Sequence, residues 1–136
     1  MQRDINAGSK KVDPEAAEIK YTDEELAVIL TDAKVKLPHL VARYAKKMDL
    51  EYEKVFIKAQ KTRWGSCSDK GNINLNCLLT QVPSYVRRYV IVHELAHRRE
   101  MNHSGRFWKI VAEEMPDYKK AVRWLRKQGD SIIEKL

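Results

Sequence analysis

Cysteine is scarce in this sequence: Cys67 and Cys77 are the only two among 136 residues. Two are too few for a disulfide-stapled scaffold, and their spacing is too wide for a CxxC metal or redox motif. No apolar run approaches the roughly 20 residues that a membrane span needs. The first twenty residues, MQRDINAGSKKVDPEAAEIK, lack the apolar stretch of a secretory signal. Internal repeats and low-complexity segments are missing too. These absences argue against secreted, membrane-spanning and fibrous classes, and they place the expected protein in the cytoplasm with reduced thiols and no membrane partner.

What is present describes a globular chain. Apolar residues make up 43% and charged residues 33%, and the length suits one domain with a modest core. Lys and Arg total 26 against 19 Asp and Glu, a formal charge of +7. The basic residues are scattered except for a late cluster of Lys119, Lys120, Arg123, Arg126 and Lys127. The plain reading of this excess is a solvated surface. The functional reading is an attraction for nucleic acid or an acidic partner.

Residues 1–20 read as a polar mobile tail and residues 21–136 as a single domain. Thr22 and Glu25 form a T-x-x-E capping box that opens helical sequence over 22–49, with Pro38 expected to divide it into two helices. Between 54 and 77 the pattern turns to strands. KVFIKAQ, TRWGSCS and INLN form three short runs, the last two joined by a turn at Asp69–Gly71. Pro83 and Ser84 start a helix expected over 84–101. Helices over 104–128 follow, capped by Ser104, interrupted at Pro116 and stopped by Gly129.

Three of the four histidines fall in the stretch HELAHRREMNH. On a helix of about 100° per residue, His93 and His97 stand one turn apart and about 40° offset, so two imidazoles face one ion. Glu94 lies about 100° round from His93, beside the open coordination position, where it suits a base acting on water rather than a ligand. His103 becomes a third ligand only if the helix ends before it. Asn102, a residue that tolerates the left-handed conformation, and Ser104, a helix opener, supply such a break. The HExxH-x5-H spacing is that of metzincin peptidases, but Glu100 stands where those have a turn glycine. The competing third ligand is Glu114, on the edge of the inward stripe Phe107, Val111 and Met115. Glu114 has a second possible role, orienting a histidine. His39 reads as an ordinary histidine.

Imidazole ligands with an open tetrahedral position suit Zn²⁺, which makes hydroxide available near neutral pH. Glu94 would then act as general base in the hydrolysis of a peptide bond. Beside the site, an extended peptide is expected to pair with an exposed edge of TRWGSCS, with Gly65 and Ser66 in contact and Trp64 shaping a pocket. The plain alternative puts Trp64 in the core and makes Gly65 a bulge.

The runs KTRWGSCSDKGNINLN and YVIVHELAHRREMNHSGRFW resemble the YgjP-like metallopeptidase domain, related to the SprT-like and minigluzincin peptidases, over roughly residues 38–128. The resemblance implies a small zincin-like α+β domain, a short antiparallel sheet of about three strands packed with the HExxH helix. It implies zinc on His93, His97 and His103, a catalytic Glu94 and a peptide or protein substrate. Many members have a β-rich segment before the domain, for which this sequence shows only tail and helix. Two rival functions stand beside this one. The first is a DNA-associated, SprT-like protease, suggested by the basic cluster. The second is a zinc-bearing binding module without catalysis.

Overall fold

The computed structural model describes residues 2–6 and 20–136. The first helix, α1, runs unbroken over Asp23–Met48. Its capping box is complete: Glu25 N–H donates to Thr22 Oγ1 at 3.1 Å, and Thr22 N–H donates to Glu25 Oε1 at 2.9 Å. Asp23, Glu24 and Glu25 in the first turn and Lys46 and Lys47 in the last complement the helix dipole. The expected division at Pro38 does not occur. Proline in a helix costs about 3 kcal/mol. The buried stripe Ile29, Ala33, Leu37, Val41 and Ala45 continues at the same four-residue step on both sides of it, so packing carries the helix through. Asp49 ends it in the left-handed conformation, φ 56°.

Four strands form one mixed sheet in the order β1-β3-β4-β2: β1 Gln2–Asn6, β2 Val55–Lys58, β3 Arg63–Ser68 and β4 Ile73–Asn76. β3 and β4 make the expected hairpin, with Gly71 at φ 92° in the turn. A side chain there would strike the Arg98 guanidinium, which donates to the carbonyls of Glu51 and Asp69 and ties the turn down. Two features depart from a three-stranded antiparallel sheet. β2 lies parallel to β4, at the far edge. β1 pairs antiparallel with the outer edge of β3, Ile5 opposite Gly65. The tail reading therefore fails at Gln2–Asn6. This polar segment has no core of its own to signal a strand, and its partner lies some sixty residues away. Residues 7–19, also assigned to the tail, lie outside the described residues.

Both faces of β4 are buried. Asn76 earns its place there by hydrogen bonding: its Nδ2 donates to the carbonyls of Gln60 and Arg63, and its Oδ1 accepts from Leu78 N–H. That last bond opens a 3₁₀ turn over Cys77–Thr80.

Helix α2, Ser84–Ala96, is the axis of the molecule. Every residue from Tyr89 to Ala96 is buried. A helix buried on all sides must be covered on all sides. The sheet lies against one face, and α1, α3 (Gly105–Glu114) and α4 (Tyr118–Trp124) close the rest. After α4 the chain passes through a wide helical turn, Leu125–Gly129, into α5, Asp130–Ile133. Gly129 does not stop the helix. A Cβ at this position would lie 3.3 Å from Trp64 Nε1, so the glycine serves close packing on the indole.

Candidate metal centre

His93 and His97 arise from the last turn of α2 as the four-residue spacing requires, with ring centroids 5.1 Å apart. The helix was expected to run to about residue 101, but it ends at His97, whose backbone is still right-handed at φ −64° and ψ −17°. Tightened turns then lead out: Arg98 N–H bonds to the Leu95 carbonyl, and Arg99 and Glu100 N–H to that of Ala96. Asn102 is not left-handed, since Asp49 is the one non-glycine with positive φ among the described residues. A turn without glycine is thus possible with Glu100 in place. The Glu100 carbonyl accepts from His97 Nδ1–H at 3.2 Å, which fixes the tautomer and turns His97 Nε2 toward the cluster.

The break delivers His103 to the site. Its Nε2 stands 3.2 Å from His93 Nε2, and one nitrogen from each of the three histidines lies within 4.8 Å of the others. Ser104 caps α3, accepting from Phe107 N–H at 3.4 Å. This start places Phe107 beneath all three rings, at centroid distances of 4.8, 4.4 and 4.9 Å from His93, His97 and His103. His93 and His97 are buried, whereas His103 is exposed.

Sequence reasoning did not assign Tyr89 or Trp108 to this site. Tyr89 Oη lies 3.2 Å from His93 Nδ1 and holds the ring from behind. Trp108 lies against His93 and nearly parallel to His103, at 5.7 and 6.0 Å. The available signal was spacing: Tyr89 precedes His93 by one helical turn, and Trp108 lies in the first turn of the helix that follows His103. Burial, and then the neighbouring His97 and His103, hold His93 well below its ordinary pKa of 6.5, so it stays neutral and able to ligate. Burial raises the Tyr89 hydroxyl, with a smaller contribution from Glu94, and keeps it protonated.

Glu94 is fully buried on the sheet side of α2, where its Cγ would be 3.2 Å from a Cβ on Gly65. Gly65 is therefore the point at which β3 backs onto the acidic residue of the motif. Glu114 is elsewhere. It pairs with Lys47 at 2.9 Å and Arg88 at 3.7 Å, bracing α3 against α1 and α2. The metal-ligand group among the described residues is the three histidines, so Glu114 is neither the third ligand nor, with those partners, positioned to orient a histidine. Trp64 is 1% exposed and belongs to the core, so it shapes no open pocket. Gly65 and Ser66 are buried as well, because β1 takes the edge expected to be free. His39 is an exposed residue of α1.

Three imidazole nitrogens gathered within 4.8 Å suit a metal ion, and one pair of them already stands at tetrahedral spacing. Metal–nitrogen bonds of about 2.0–2.1 Å imply nitrogen–nitrogen separations of about 3.3 Å, close to the 3.2 Å between His93 and His103. Three protein ligands leave the fourth position open, the pattern of catalytic rather than closed structural sites. Fold and site together define a metallopeptidase domain with an HExxH helix and a third histidine beyond it.

The chain belongs to the YgjP-like metallopeptidase domain family, which matches residues 3–128. Its fold is similar to that of the crystal structure of the metallopeptidase zymogen of Pyrococcus abyssi abylysin, with a TM-score of 0.57 at 22% identity, covering 66% of this chain and 92% of that one. No curated protein matches it. No helix among the described residues is long and apolar enough to cross a membrane.

Proposed function

We propose that the chain is a zinc-dependent peptidase in which His93, His97 and His103 hold the metal and Glu94 is the general base. The observation that carries this reading is three histidine nitrogens within 4.8 Å of one another, with His93 and His97 at the same end of the helix as Glu94 and His103 brought in from beyond it. Zinc, when bound, supplies a Lewis acid that polarises the scissile carbonyl and acidifies water. Glu94 takes the proton of the attacking water and hands it to the leaving amine. Tyr89 and the Glu100 carbonyl hold His93 and His97 in register. Burial of Glu94 keeps competing solvent away from its carboxylate.

The substrate strand pairs along Gly65 and Ser66 on the outer edge of β3, the edge that β1 occupies. Substrate and β1 therefore compete for the same backbone groups, and β1 must yield its place. Consecutive strand residues point their N–H groups to opposite sides, so proline at both Asp4 and Ile5 removes one bond of the ladder whichever way it faces. That double variant is expected to cleave peptides faster than the native chain.

The deciding experiment compares zinc-loaded native chain with Glu94→Gln on a mixed peptide library. Equal zinc content with a 10²–10⁴-fold loss of hydrolysis is expected on removing the base. Full activity in the variant would sink the assignment. A non-catalytic binding module is disfavoured by the open ligand set.

A further inference from the structure

A cleft of about 460 Å³ begins where the metal ligands end. It is lined by Trp108, Tyr118, Lys119, Val122, Arg123 and Arg126. Its aromatic wall is continuous with the metal site. Trp108, which lies against His93 and His103, stacks on Tyr118 at 5.3 Å and 19°. Tyr118 stacks in turn on Tyr89, whose hydroxyl meets His93. A ligand on this wall is thus held beside the reacting centre.

The rim has one sign. Lys119, Arg123 and Arg126 follow the spacing of a single helical face and are all exposed. None makes an ion pair with a described residue, whereas Lys36 and Lys47 elsewhere do. Three cations around an aromatic floor select for negative charge on a flat or flexible group. The volume suits one or two side chains. A nucleic acid strand would need the cations spread along a track rather than gathered at one cleft.

Resting on the peptidase reading, we propose that this cleft is a specificity subsite for an acidic side chain of the substrate, adjacent to the scissile bond. Arg123 and Arg126 are the residues that read the charge, and Trp108 and Tyr118 carry the aliphatic part of the side chain.

The test uses the full zinc-loaded chain and matched peptides that differ at one position near the cleavage point, Glu, Gln or Lys. Exposed ion pairs predict a preference of about two- to five-fold in kcat/KM for Glu over Gln, diminishing with added salt. In Arg123→Glu/Arg126→Glu the preference should invert toward Lys while zinc content stays unchanged. Binding of the same labelled peptides to Glu94→Gln, followed by fluorescence anisotropy, reads the subsite without hydrolysis. Equal affinity for Glu and Gln peptides would overturn the proposal. So would tight binding of a single-stranded oligonucleotide, lost in the double variant, with no discrimination among peptides. No hydrolysis of any peptide but intact charge-dependent binding would overturn the peptidase reading and support the cleft assignment.

Discussion

The Nε2 atoms of His93 and His103 stand 3.2 Å apart although the residues are ten positions apart in the sequence. One comes from a rigid buried helix and the other from the exposed segment after it. Loss of His103 should therefore leave the fold in place and cripple metal retention. Groups that merely orient a ligand are worth about 10–100-fold in metal affinity. His103→Ala is expected to exceed that range, and Tyr89→Phe to lie within it, near ten-fold. Competition with a chromophoric chelator measures both. Equal affinities for the two variants would remove His103 from the ligand set.

Gly65 is required by packing between the sheet and α2. An added Cβ would meet Val90 Cγ1 at 3.1 Å, the Asn74 carbonyl oxygen at 3.2 Å and Glu94 Cγ at 3.2 Å. None of these neighbours is a flexible tip with space to retreat. Gly65→Ala should cost about 1–3 kcal/mol in urea unfolding. Gly105→Ala, where nothing lies within 4 Å, should change stability by less than about 0.5 kcal/mol.

Acid should destabilise the metal-free protein through His93. Its folded pKa is depressed, by burial first and by His97 and His103 next. Below about pH 6.5 the unfolded chain takes up a proton that the folded chain refuses. The stabilisation is fully present above that pH and is lost as pH falls toward the folded value. Thermal melts of chelator-treated protein should show this decline. His93→Gln should make the slope shallower, by up to about 1.4 kcal/mol per pH unit.

Both thiols should be inert in the native state. Burial, followed by the Glu94 charge, pushes the Cys67 thiol up to about 12, and burial raises Cys77 as well. Reaction with Ellman's reagent at pH 8 should be more than about 100-fold slower than in the urea-unfolded chain. Two fast thiols in the native protein would contradict this burial.

Much of the site was legible because its signals are local. Helical periodicity alone sets His93 and His97 on one face with Glu94 beside them, and residue preference alone marks Thr22 and Ser104 as caps. The break between His97 and His103 was demanded by geometry, but its form was not foreseeable. The expected left-handed Asn102 is replaced by tightened turns and a His97–Glu100 bond, because the carbonyl that accepts from the imidazole also shapes the exit.

Whatever depends on a distant partner was decided by tertiary structure. Pro38 reads locally as a helix boundary and Gly129 as a helix stop. The core stripe overrides the first, and the Trp64 indole explains the second. Gln2–Asn6 reads as tail because strand pairing is cooperative with β3, not intrinsic to its five residues. Glu114 fits a ligand by its helical position, yet Lys47 and Arg88, brought from two other helices, claim its carboxylate. The sequence by itself determined the reacting groups, whose spacing within one helix sets their chemistry. Only the fold decided which of the distant groups would meet them, since those contacts depend on how helices and strands pack.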